Sequence, residues 1–271
     1  MKKLTVFILC ALLFAGCSKP AHPLFPIETT TSPTTPTETT VGAIHESPTT
    51  ETTVPTETTV PTVPPHADFY DPNIAVEDLI TWFGEVNFDA EMVNGGNPGV
   101  IQKWDVPIYY YVFGTPTDED LKTVDSFVRW VNTVEGFPGM SQTTDLGAAN
   151  LKLYFCDNGQ LQNIMGPGFE GLDGAVTYWY DNNRIYDATI CIRTDLNQHL
   201  RNSVIKEEFY NGLGPINDTY LRSDSIIYAN FSEPQELTAA DELILKLLYD
   251  PQIQCGMTPE QCAEIIRSIY Y

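Results

Sequence analysis

The chain has 271 residues and a formal charge of −22, from 36 acidic against 14 basic side chains. That excess argues against nucleic acid or an anionic lipid surface held through a basic patch, and fits a cationic partner or simple mutual repulsion. One or two domains are allowed at this length, but the first quarter does not have the composition of a globular fold.

Taken in chain order, Lys2 and Lys3 precede an apolar run from Leu4 to Phe14 that ends in Ala15, Gly16 and Cys17. A basic start, a short apolar core and small residues before the cut describe a secretory leader, residues 1–16. The run is shorter than the roughly 20 residues that span a bilayer as a helix. Leu13-Phe14-Ala15-Gly16-Cys17 resembles a bacterial lipobox. It implies a lipid on Cys17 that anchors the protein to the membrane, facing outside the cytoplasm; simple secretion is the alternative. Residues 17–66 are dominated by Thr, Pro, Glu and Val, and P-T-E-T-T-V occurs at both Pro36–Val41 and Pro55–Val60. Little in this stretch can be buried to offset ordering entropy, so it is expected to be a disordered stalk. In polyproline geometry it reaches on the order of 150 Å.

Residues 67–271 carry the folded domain. A short helix is expected over 76–83, with Leu79, Ile80 and Phe83 on one side. Val106 to Phe113 reads as a strand rich in Tyr and Val. Thr117 with Asp120 forms a capping-box pattern opening a helix to about Glu135, with Leu121, Val124, Val128 and Val131 inward. Strands follow at 151–155, 174–180 and 186–192, the last two joined by the turn signal Asp181-Asn182-Asn183. A helix from about Asn197 to Leu213 places Ile205, Phe209 and Leu213 on one face and is stopped by Gly212, Gly214 and Pro215. Thr238 with Asp241 opens a helix through Tyr249, and Thr258-Pro259 opens the last one. The layout is α+β, a small mixed sheet packed with helices.

Four cysteines follow Cys17: Cys156, Cys191, Cys255 and Cys262. An even number in an exported chain suggests disulfides, with Cys156–Cys191 and Cys255–Cys262 the preferred pairing and four free thiols the alternative. The absence of a C-x-x-C pair disfavours zinc held by cysteine.

Glu207 to Asp218 reads E-E-F-Y-N-G-L-G-P-I-N-D, the spacing of the zinc-protease pattern H-E-x-x-H-x-x-G-x-x-H. The ligand positions fall on Glu207, Asn211 and Asn217, with Asp218 beside the last; the general base falls on Glu208 and the turn glycine on Gly214. Ser225-Ile226-Ile227-Tyr228 looks like a metzincin Met-turn with Ile227 where methionine stands. With the order of elements, these matches resemble the zincins, specifically a metzincin-like catalytic domain. More closely, Lys103 to Met257 resembles a bacterial family of unknown function in exported proteins. That family is marked by E-E-x-x-Q-x-L-G-L-x-N-D and L-L-x-x-L-Y-D-P-x-x-x-x-G-M, from which Asn211 and Pro215 depart. The resemblance implies a zincin-like fold without an established reaction.

A catalytic zinc uses three protein ligands and an open position for water, whose pKa it lowers to about 7. The folded part contains a single histidine, His199, which cannot supply such a triad. Glu207, Asn211, Asn217 and Asp218 offer only oxygens, which favour a hard cation such as calcium over zinc. No metal or other cofactor is therefore assigned. Glu207 and Glu208 stand open to three readings: two solvated acids in mid-helix, a structural remnant with Glu208 hydrogen-bonded in the cleft, or an acid/base pair. His199 reads as a surface or capping histidine. Tyr109-Tyr110-Tyr111 and Tyr178-Trp179-Tyr180 read as core and cross-strand residues before they read as a glycan groove. The expected function is a surface lipoprotein whose zincin-like domain binds a peptide or wall component. The rivals are a hydrolase using Glu208 with a hard metal and a structural spacer.

Overall fold

The computed structural model describes residues 69–88, 99–215 and 217–270. The expected leader (1–16), the expected stalk (17–66) and Cys17 lie outside them. Helix α1 (Val76–Phe88) runs past its predicted end at Phe83, because Val86 and Phe88 extend the stripe buried with Leu79 and Phe83.

A single sheet contains β1 (Lys103–Trp104), β2 (Ile108–Gly114), β3 (Met140–Gln142), β4 (Leu151–Cys156), β5 (Gly174–Asp181) and β6 (Arg184–Arg193). Its order is β1-β6-β4-β2-β3, with β5 also on β6. Every pairing is parallel except the β5–β6 hairpin. Strand β6 is long enough to take β4 along Ala188–Arg193 and β1 at Arg184–Ile185, while β5 occupies its other edge. The hairpin turns through Asn182 and Asn183 at φ 50° and 63°, a left-handed pair that asparagine tolerates. The molecule is thus mixed α/β with a mostly parallel sheet.

Side-chain alternation separates the two faces of the sheet. Ile108 and Tyr110, Leu151, Leu153 and Phe155, Val176 and Tyr178, and Ala188, Ile190 and Ile192 form the buried inner face. Helices α2 (Asp118–Val131) and α4 (Gln198–Gly212) lie against it. The predicted Thr117/Asp120 capping box opens α2, and Val124, Val128 and Val131 are buried. Leu121 is not: it is 39% exposed, and Thr123 and Phe127 take the inner positions, since the packed stripe runs one residue round from the predicted one.

On the opposite face, helix α3 (Asn158–Met165) covers Cys156, Ala175 and Cys191 with Leu161 and Met165, joined by Phe169 and Leu172 in a second small core. The remainder carries Tyr109, Tyr111 and Phe113, with Phe113 stacked on Tyr154 at 4.3 Å, and a Lys152–Asp187 ion pair. Strands β1 and β3 and helix α3 have no counterpart among the predicted elements. The strands have two and three residues, too few for alternation to show. In α3 only Leu161 and Met165 are buried, although its Asp157/Gln160 capping box is legible in the sequence.

Helix α5 (Ala239–Tyr249) begins at the predicted Thr238/Asp241 pair, and α6 (Pro259–Ile269) at the predicted Thr258-Pro259, where Gln261 completes a capping box. Leu243, Ile244, Leu247 and Leu248 are buried as expected. Among the described residues no helix is long and apolar enough to cross a membrane.

Candidate functional site

Helix α4 opens at Asn197, whose side chain accepts from Leu200 N, and ends where the chain turns at Gly214. Gly214 has φ +136°, and a Cβ there would stand 2.7 Å from the carbonyl oxygen of Gln102, so glycine is required by both torsion and space. From Ser203 to Gly212 every residue of α4 is buried. The helix is enclosed on all sides, so two adjacent residues pointing about 100° apart both face protein.

Glu207 and Glu208 therefore correct the reading of two solvated acids: Glu208 is fully buried and Glu207 is 5% exposed. Glu208 lies over the start of β5, where Gly174 makes room for it. A Cβ at Gly174 would come within 2.7 Å of Glu208 Oε1 and 2.5 Å of Val204 Cγ1. Neither oxygen of Glu208 has a hydrogen-bond partner, which departs from the second of the three readings, a remnant hydrogen-bonded in the cleft.

The rest of the motif folds onto the same place. Asn211, one turn after Glu207, donates from Nδ2 to Asp218 Oδ1 at 3.3 Å. Asn217 is tied to the end of α1: its backbone N–H donates to Val86 O at 3.3 Å and its Nδ2 to Glu85 O at 3.2 Å. Thr219 donates its N–H to Ile227 O at 2.8 Å and accepts from Ala229 N at 3.0 Å. The Ser225–Tyr228 turn thus lies beside Asp218, with Ile227 fully buried. That turn is fixed by Asp241 of α5, whose carboxylate accepts from Ser225 Oγ at 2.6 Å, Ile226 N at 3.2 Å and Arg222 Nη1 at 2.6 Å.

The electrostatics follow from burial without counter-charge. Desolvation, then the proximity of Asp218, pushes the Glu207 and Glu208 carboxyls well above the usual carboxylate range. Asp173 adds to both, and Glu208 to Glu207. Glu207 Oε1, Asn211 Oδ1 and Asn217 Oδ1 also lack partners. A carboxyl whose protonated form is favoured in this way is a weaker proton acceptor, which counts against Glu208 as a general base. Zinc does not fit the donor set either, since it carries no imidazole or thiolate and its carboxyls favour the protonated form. Among the described residues no group of three or more His, Cys, Asp or Glu side chains is arranged to hold a metal ion. His199 is exposed on the first turn of α4.

Sequence reasoning passed over Asp173, Gly174, Glu85 and the Arg222–Asp241 pair. Only the Asp241 capping box was visible locally; the others act across the fold. Of the tyrosine runs, Tyr110 and Tyr178 are core, while Tyr109 is 43% exposed. The four cysteines are free thiols in this structure. Cys255 donates to Lys103 O at 3.7 Å, and Cys262 is sunk in the main core.

No curated protein matches the chain. Residues 77–268, well over half its length, match the model of a family described as a protein of unknown function (DUF2927) and include the whole Glu207–Asp218 motif. The chain belongs to this family of unknown function.

Proposed function

We propose that the protein is a surface-anchored lipoprotein whose zincin-like domain has lost zinc and proteolysis and works by binding a peptide or wall component. The observation that carries this reading is the burial of the motif, where desolvation favours the protonated form of both glutamates. Glu207, Glu208, Asn211, Asn217 and Asp218 converge as a zincin site would require, yet the two glutamates are buried, their carboxyls are pushed toward the protonated form, and the set includes no imidazole. Convergence supports the zincin-like scaffold, as does the succession of strand, long helix, strands, helix and turn. The chemistry of the donors argues against the reaction. The lipid anchor at Cys17 rests on the lipobox resemblance alone.

Binding then falls to the outer surface. The edge strand β5 is buried from Gly174 to Tyr178, which restricts addition of a peptide strand to its far end. The open sheet face offers Tyr109, Tyr111 and Phe113 beside Tyr154, a row of rings suited to stacking on a flat ligand. A thermal-shift screen of peptides and cell-wall fragments tests the proposal, since a ligand of the folded state raises the melting temperature by mass action. A shift present in the native protein and lost in Tyr111→Ala supports binding at this face. No shift across the screen favours a spacer. Stoichiometric zinc in the purified protein, with proteolysis abolished by Glu208→Gln, would overturn the non-catalytic reading.

A further inference from the structure

The structure assigns Cys156 and Cys191 to a thiol–disulfide exchange site, in which Cys156 attacks a disulfide oxidant and Cys191 resolves the product into an intramolecular bond. The pair is set by strand register. Tyr154 lies opposite Cys191 and Cys156 opposite Arg193 on the parallel strands β4 and β6, so the two cysteines are diagonal neighbours on one face of the sheet. Both belong to the small core under α3, and the two thiols are near enough for one to donate to the other.

The two thiols differ in access and in charge preference. Cys191 is wholly enclosed, whereas Cys156 lines a cavity of about 580 Å³ bounded by Gly114 and Thr115 at the end of β2 and by Gln160 and Asn163 of α3. A small disulfide entering there meets Cys156 first. The hydrogen bond from Cys191 holds the Cys156 thiol below its ordinary range, and Arg193 acts in the same direction; burial, Asp157 and Asp195 oppose it. Cys156 also immediately precedes the N-cap of α3, where the partial positive charge of a helix start favours a thiolate. The Cys191 thiol is pushed up by the same hydrogen bond and by burial. Cys156 is thus the attacking sulfur and Cys191 the resolving one.

The chemistry balances. Cys156 gives up its proton and its sulfur attacks one sulfur of R–S–S–R; that S–S bond breaks, and RS⁻ leaves and is protonated. Cys191 then loses its proton and attacks the Cys156 sulfur, and the second RS⁻ leaves and is protonated. The protein's two thiols are oxidised to one disulfide and the oxidant is reduced to two thiols.

The test uses the fully reduced protein with 5,5′-dithiobis(2-nitrobenzoate), and separately with oxidised glutathione, followed by alkylation and non-reducing peptide mapping. A Cys156–Cys191 cross-linked peptide is expected with both oxidants, with Cys255 and Cys262 not joined to either residue. Cys191→Ser should stop at a mixed disulfide that keeps the thionitrobenzoate on Cys156. Cys156→Ser should slow oxidation of Cys191 by about tenfold or more, since Cys191 is enclosed and does not line the cavity. If either variant fails to fold, the map of the native protein decides by itself. Recovery of Cys156 and Cys191 as separate alkylated peptides, a Cys255–Cys262 cross-link in their place, or first labelling on Cys191 overturns the assignment.

Discussion

Glu208 sets the strongest expectation at the scale of single residues. Its folded-state pKa is raised above the ordinary 4.5, so the folded form holds a proton that the unfolded chain releases. Below about pH 4.5 both states are protonated and there is no penalty. As pH rises from there toward the folded-state value, stability falls by about 1.4 kcal/mol per pH unit for such a group. Glu208→Gln removes this slope. Thermal melts from pH 4 to pH 8 should show the variant gaining on the native protein as pH rises, with the gap closing at the acid end. A constant gap would place the penalty outside this carboxyl. Gly174 gives a second expectation. Gly174→Ala forces a methyl against Val204 and Glu208 and should cost about 1–3 kcal/mol in urea unfolding. Glu208→Ala in the same protein should recover only part of the loss, because Val204 remains. Both effects were out of reach in the sequence, where Glu207-Glu208 looks like any acidic pair on a helix. Their burial is decided by chain more than thirty residues before them, at Asp173 and Gly174, and after them at Asp218.

At the scale of elements, two buried ion pairs join capping boxes to distant segments. Asp120 of the α2 box accepts from Arg201 Nε at 2.7 Å and from Gln198 Nε2 at 2.7 Å, locking α2 to α4. Asp241 of the α5 box accepts from Arg222 Nη1 and from Ser225 Oγ, holding the turn beside the candidate site. Each aspartate therefore both starts its own helix and fastens another segment to it. Removing one partner of a buried pair leaves an uncompensated charge, so Asp241→Ala should cost about 3–5 kcal/mol by urea unfolding. Arg222→Met with Asp241→Leu should lose less than the single change, and a larger loss would contradict this account. The capping boxes were readable because their partners lie three residues apart in the chain. Their second role was not, since Arg201 and Arg222 carry no local mark of what they meet. The same limit hid β1, which is set by its pairing to β6 and by Lys103 Nζ donating to Leu248 O at 2.7 Å and Ile253 O at 2.5 Å.

At the scale of the whole molecule, anchoring and folding are expected to be separate properties. Cys17→Ser should move the protein from the membrane fraction to the soluble fraction and abolish fatty-acid labelling. Deletion of residues 18–66 should leave the melting temperature of the domain within about a degree of the full chain, as the stalk has almost nothing apolar to contribute. A drop of several degrees would mean that the stalk packs on the domain. By itself the sequence determined what depends on neighbours in the chain: the Thr/Pro-rich composition, the starts of α2, α4, α5 and α6, the Asn182-Asn183 turn and the motif from Glu207 to Asp218. Only the tertiary structure decided that this motif is sealed and that Cys156 meets Cys191. It also decided that the sheet is mostly parallel. Parallel strands, buried carboxyls and facing thiols are all made by contacts between distant segments, and no local pattern of residues encodes which segments will meet.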